Sequence, residues 1–121
     1  MAHEHIIDPS NRSATVKMSG AVTGAEAAEA IESTYQDPNW HAGFALIGDL
    51  TGVTEAVLEQ EDFPKFVGIH KKYEAAAPRV EIILVRRQLD RTMAGVYKLY
   101  MSTAKHKVHV CASLAEASEL L

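Results

Sequence analysis

The sequence predicts an α/β domain in which an N-terminal hairpin precedes alternating helices and mainly parallel strands, forming a mixed five-stranded sheet. Three observations predict it. The apolar run Phe44-Ala45-Leu46-Ile47 and the mostly apolar Val80 to Val85 suit strands buried on both faces, as in a sheet covered by helices. Two capping boxes, Thr23-Gly24-Ala25-Glu26 and Ser113-Leu114-Ala115-Glu116, open helices. The elements also follow one another as β-β-α-β-α-β-α-β-α, an alternation that calls for parallel pairing through right-handed crossovers.

At 121 residues the chain is expected to be one domain, 1–121, long enough to bury a core without staples. With 47% hydrophobic and 23% charged residues it is globular rather than disordered. A lone cysteine, Cys111, excludes an internal disulfide and fits a reducing compartment. Met1-Ala2-His3-Glu4-His5 lacks the basic start and apolar core of a signal peptide, and no apolar run approaches a membrane span, so the expected location is cytoplasmic. Charge is split along the chain. Residues up to Asp62 carry nine net negative charges and those from Phe63 onward five net positive. Such a split either pairs inside the domain or gives a dipole that orients a partner. No basic surface of the nucleic-acid-binding kind is concentrated anywhere.

Taken in order, His3 to Asp8 reads as a short strand and Pro9-Ser10-Asn11 as a turn. Arg12 to Ser19 alternates Ala14, Val16 and Met18 with Ser13, Thr15 and Lys17, the period of a half-buried strand. A helix from Thr23 to about Gln36 presents Ala27, Ala28, Ile31, Thr34 and Tyr35 on one face and stops at Asp37-Pro38. The central strand from Phe44 closes at Gly48-Asp49, with Thr51-Gly52 as turn residues. Val53 to Glu61 is expected to be a short helical turn or irregular loop. A helix from about Asp62 to Ala76 tolerates Pro64 in its first turn and aligns Phe63, Phe66, Val67, His70 and Tyr73. After strand Val80 to Val85, a helix from about Leu89 to Thr103 is expected to bury Leu89, Met93, Val96 and Tyr100, with Tyr97 and Met101 widening the stripe. Lys105-His106-Lys107 leads into strand Val108 to Cys111, and Ser113 opens a last helix ending in Leu120-Leu121.

This order, together with Ser19-Gly20-Ala21-Val22-Thr23, Asp37-Pro38-Asn39-Trp40 and Asp49-Leu50-Thr51-Gly52-Val53, resembles the SpoIIAA-like proteins. These are small bacterial relatives of the STAS domains and are also grouped with the SEC14-type lipid-binding fold. The resemblance spans nearly the whole chain and implies a helix-covered mixed sheet, usually without catalysis. STAS relatives of the anti-sigma-factor-antagonist type dock on a protein partner and are switched by phosphorylation of a serine that opens a helix after the central strand. Here Val53 to Asp62 has no serine, and its one hydroxyl residue is Thr54. A phospho-switch of that type therefore has no serine to act on.

The rim implied by parallel strands gathers Asp49, Thr51, Thr54, Arg86, Arg87 and Ser113 as partner-binding candidates. An arginine pair beside helix N-termini suits an anion or a carboxylate-bearing partner; in the plainer alternative Asp49 and Thr51 serve a turn and Asp90 takes one arginine. Phe63, Phe66, Tyr73, Met93, Tyr97, Tyr100 and Met101 are more aromatic and sulfur-rich than one sheet face needs. The excess would line an apolar pocket or a homodimer patch. His3/His5 and His106/His109 are the close histidine pairs, without a third ligand to complete a metal site. No glycine-rich phosphate loop is present, Cys111 lies in an apolar strand with no obvious activating base and is read as a small core residue, and no catalytic or cofactor-binding residue is assigned. The sequence reading is thus a non-catalytic interaction or regulatory module with another protein as partner. Its alternative is a carrier or sensor of a small apolar or lipid-like ligand, and the two differ in whether the core encloses an apolar cavity.

Overall fold

The hairpin forms as its alternation predicts. In the computed structural model, which describes residues 3–102 and 106–121, strand β1 (His3–Asp8) pairs antiparallel with β2 (Ser13–Thr23). A 3-10 turn, Pro9–Asn11, joins them. Asp8 accepts from the Asn11 N–H, and Arg12 at φ 51° turns the chain into β2. The second strand outruns its predicted end at Ser19 and leads directly into α1 (Gly24–Gln36). Both halves of the first capping box are made: Thr23 Oγ1 accepts from the Glu26 N–H at 3.2 Å, and Glu26 Oε1 accepts from the Thr23 N–H at 3.3 Å. Pro38 holds Asp37 extended, ψ 129°, and the helix stops there.

Then come β3 (Ala45–Val57), α2 (Asp62–Lys72), β4 (Val80–Leu84), α3 (Gln88–Met101), β5 (Val108–Cys111) and α4 (Leu114–Ser118). The sheet runs in sequence order, β1-β2-β3-β4-β5, with β2 to β5 parallel. Right-handed crossovers that always step to the next strand put every crossover helix on the same face. On that face Val16, Leu46 and Val53 meet Ala30 and Tyr35 of α1, while Ile83, Val85 and Val108 meet Phe63 and Phe66 of α2 and Tyr97 and Met101 of α3. Ala45, Ile47, Val80, Ile82, Leu84 and Cys111 point the other way and are covered by Ala117 of α4.

Strand β3 is longer than expected. The expected turn at Thr51-Gly52 and the helical turn or loop over Val53 to Glu61 are replaced by strand as far as Val57. Between Lys17↔Asp49 and Ser19↔Gly52, and again between Gly20↔Val53 and Ala21↔Glu55, β3 spends one residue more than β2. These are β-bulges, and they explain the turn-like residues: Asp49 Oδ1 accepts from the Thr51 N–H at 2.9 Å and from its hydroxyl at 2.6 Å, a local bond that bends a strand without ending it. Gly52 sits where a Cβ would stand 3.2 Å from that of Ser19 and 3.3 Å from the Met18 carbonyl oxygen.

Smaller corrections follow packing. Helix α2 ends at Lys72, and Glu74–Ala76 continues as a 3-10 turn. The buried stripe of α3 is Asp90, Ala94, Tyr97 and Met101, so that Tyr97 and Met101, expected only to widen the stripe, form its centre and it lies one position on from Leu89, Met93, Val96 and Tyr100. Leu89 is 68% exposed. The polar Asp90 masked the true stripe in the sequence. The last helix ends at Ser118, before the expected Leu120-Leu121. Thr103 and Lys105, expected to end a helix and begin a strand, lie outside the described residues.

Candidate functional site

A buried polar cluster lies between the sheet and helices α1, α2 and α3. Glu81, the lone carboxylate of β4, points to the helix face because it alternates with Val80 and Ile82, and is 4% exposed. Helix α2 brings His70 to it on the stripe begun by Phe63 and Phe66, α3 brings Tyr97, α1 brings Tyr35, and the segment before β5 brings His106. Tyr97 Oη lies 2.7 Å from Glu81 Oε1 and 2.5 Å from His70 Nε2. Tyr35 Oη is 2.6 Å from His70 Nδ1, and His106 Nε2 is 2.7 Å from Glu81 Oε1.

One placement of hydrogens satisfies every contact. Tyr35 donates to His70 Nδ1, His70 Nε2–H donates to Tyr97, and Tyr97 and His106 both donate to the Glu81 carboxylate. Burial pushes the Glu81 carboxyl up, yet His70, His106 and Tyr97 together hold it below the usual carboxylate range. Burial also lowers His70, outweighing the attraction of Glu81, and so favours a neutral ring. Both tyrosines are raised, first by burial and then by the Glu81 charge. A carboxylate this deep is tolerable only with such partners. Ligand atoms of His70, Glu81 and His106 lie within 4.8 Å of one another, the one such metal-compatible grouping among the described residues.

An apolar cavity adjoins the cluster. It occupies about 110 Å³ between the sheet and α1, α2 and α3, with Leu46, Val53, Ile31, Phe66, Met93 and Ala94 among its walls. Glu81 and Tyr97 reach its lining, as does Asp90 in the first turn of α3. Tyr97 and Asp90 are seven residues apart, roughly 10 Å along the helix, so polar groups meet the cavity at separate levels. Asp90 is 2% exposed, and its oxygens receive no aligned hydrogen bond from the described residues, although Arg87 Nε stands 3.1 Å from Oδ2 as an ion pair. The cavity runs from Glu81 and Ile83 of β4 to Val53 and Ala56, where β2 and β3 continue past the last rungs of β4 and β5 as a bulged pair. At that end α1 and α2 start side by side, and a Cβ on Gly24 would collide with the Asp62 carboxylate.

No protein-family model and no curated sequence matches the chain. Among solved structures it is similar to an uncharacterized protein of the DUF3478 family from Shewanella loihica PV-4, described as having a SpoIIAA-like fold. That match covers 99% of this chain and 92% of the other at a TM-score of 0.61 and 12% identity. The fold is SpoIIAA-like. At this identity the likeness speaks to architecture alone.

Within the SpoIIAA-like fold the expected rim is partly assembled. Asp49 pairs with Leu84 in register, Leu84 with Cys111, and Arg86 Nε donates to the Thr51 carbonyl at 3.1 Å. Arg87 turns to Asp90, Ser113 caps α4 by accepting from the Glu116 N–H at 3.2 Å, and Thr54 is exposed on β3. Glu116 reaches back to the N–H of Ala112 rather than of Ser113. Of the aromatic and methionine candidates, Phe63, Phe66, Met93 and Tyr97 line the cavity, and Met101 is fully buried. Tyr100 stacks on Phe63 with centroids 5.5 Å apart, and Tyr73 stacks on Tyr35 at 4.9 Å. Cys111 is buried, and burial raises its thiol. No helix among the described residues is long and apolar enough to cross a membrane.

The cluster itself was missed in the sequence. Its signal was Glu81, a single carboxylate inside the apolar run Val80 to Val85, which must find donors when the strand is covered. Close spacing suggested His3/His5 and His106/His109 instead. On the strand, His109 and His106 separate. His109 pairs in register with Ile82, whereas His106 reaches Glu81.

Proposed function

We propose that this domain binds a small, mainly apolar ligand and acts as its carrier or sensor. The cavity of about 110 Å³ between the three helices and the sheet is the observation that supports this reading. A closely packed core has few voids larger than a water molecule, and an engineered apolar cavity of roughly 150 Å³ takes up benzene or xenon. A compact ligand with one hydrogen-bond donor suits the lining best, since Asp90 offers carboxylate oxygens there without an aligned donor. Native mass spectrometry of protein purified gently from its own host tests the reading. A stoichiometric small-molecule adduct lost on denaturation is expected, and its absence from the cavity-filled variant Ala94→Leu would locate it.

A second reading, docking on another protein, rests on the rim. Leu89 and Leu114, 68% and 66% exposed, begin α3 and α4 beside Arg86 and Ser113. Two exposed leucines flanking a cation suit a partner that presents apolar and acidic side chains. A second protein that co-purifies with wild type and is lost from a Leu89→Ser, Leu114→Ser variant would support it.

A further inference from the structure

We propose that His70, Glu81 and His106 form a binding site for a borderline divalent transition-metal ion of the Zn²⁺, Co²⁺ or Fe²⁺ kind. This goes beyond ligand uptake in the cavity and does not depend on it. Two imidazoles and one carboxylate converge from three separate elements, a donor set that suits these ions and not the all-oxygen preference of Mg²⁺ or Ca²⁺.

The spacing supports the assignment. Metal–nitrogen and metal–oxygen bonds of about 2.0–2.1 Å place neighbouring ligand atoms roughly 2.9–3.4 Å apart for ligand angles between a right angle and tetrahedral. Glu81 Oε1 lies 2.7 Å from His106 Nε2 and 3.7 Å from His70 Nε2, values that bracket this range. All three ligand atoms lie within 4.8 Å of one another, so an ion draws the two imidazoles inward and takes the place of the Tyr97 contact to His70 Nε2. The surroundings also fit. On binding, His70 changes tautomer, so that Nε2 ligates and Nδ1–H donates to Tyr35 Oη, now 2.6 Å away; such an outer partner fixes a ligating ring. Tyr97 remains beside Glu81 as a hydrogen-bond donor.

Titration of metal-free full-length protein with Co²⁺, read by visible d–d absorption, tests the proposal. One equivalent is expected to bind with a saturable band that Zn²⁺ displaces. The band should vanish in His106→Ala and in Glu81→Gln, persist in His3→Ala/His5→Ala, and require roughly tenfold more Co²⁺ in Tyr35→Phe. His106→Cys keeps a ligand at this position and should add a sulfur-to-cobalt charge-transfer band, a gained signal that does not depend on the alanine variant folding. Absence of a saturable band in wild type, or a band unaltered by both His106→Cys and Glu81→Gln, would overturn the site.

Discussion

The Tyr97 hydroxyl donates to Glu81 Oε1 at 2.7 Å, tying the buried face of α3 to the one acidic residue of β4. The same oxygen lies 2.5 Å from His70 Nε2, so a single phenol completes the partners of two buried groups. Tyr97→Phe should therefore cost about 1–3 kcal/mol, more than the loss of an exposed hydrogen bond, because Glu81 stays buried with fewer donors. Urea denaturation of the variant and wild type measures the difference.

Stability should fall on mild acidification. Burial holds His70 below its ordinary value of about 6.5, so the unfolded chain binds a proton before the folded one does. Stability is then fully present above pH ~6.5 and is lost as pH drops from there through the folded value of His70. Glu81, also held below its ordinary range, adds a second loss that begins near its unfolded value of about 4.3 and continues below it. Melting temperatures measured from pH 8 downward test the sign, and His70→Gln should flatten the first decline.

Much of the fold was legible, for reasons that can be assigned to residues. Thr23 and Glu26 mark the start of α1 because a capping box is local chemistry, and Pro38 marks its end for the same reason. The direction of β3 beyond Ile47 was not legible. Asp49, Thr51 and Gly52 carry the residue types of a turn, and only pairing with β2, eleven residues against thirteen, makes them a bulged strand. The burial of Asp90 in place of Leu89 was hidden likewise, since helical period alone does not choose between adjacent stripes. The five residues of the polar cluster come from five segments. Their meeting is a property of the sheet order and not of any local spacing.

Close approach of α1 and α2 should make Gly24 sensitive. Gly24→Ala places a methyl group against the Asp62 carboxylate, whose Oδ2 already accepts from the Glu59 N–H at 2.7 Å. A loss of about 1–3 kcal/mol is expected. Adding Asp62→Ala should recover part of it, giving a non-zero coupling in a double-mutant cycle.

The rim should be separable from stability. Arg86 is exposed and spends its Nε–H on one carbonyl, so Arg86→Ala should change unfolding free energy by no more than about 1 kcal/mol. Any larger effect confined to capture of a second protein would assign the rim to docking.

The proposed carrier or sensor role requires that the cavity accept a small apolar molecule. Methyl NMR under xenon pressure addresses it most directly, with benzene as the second probe. Saturable shifts confined to cavity methyls such as Ile31, Leu46, Val53 and Met93 are predicted for wild type, and their loss in Ala94→Leu. Shifts absent from these methyls, or unchanged when Ala94→Leu fills the space, would contradict it.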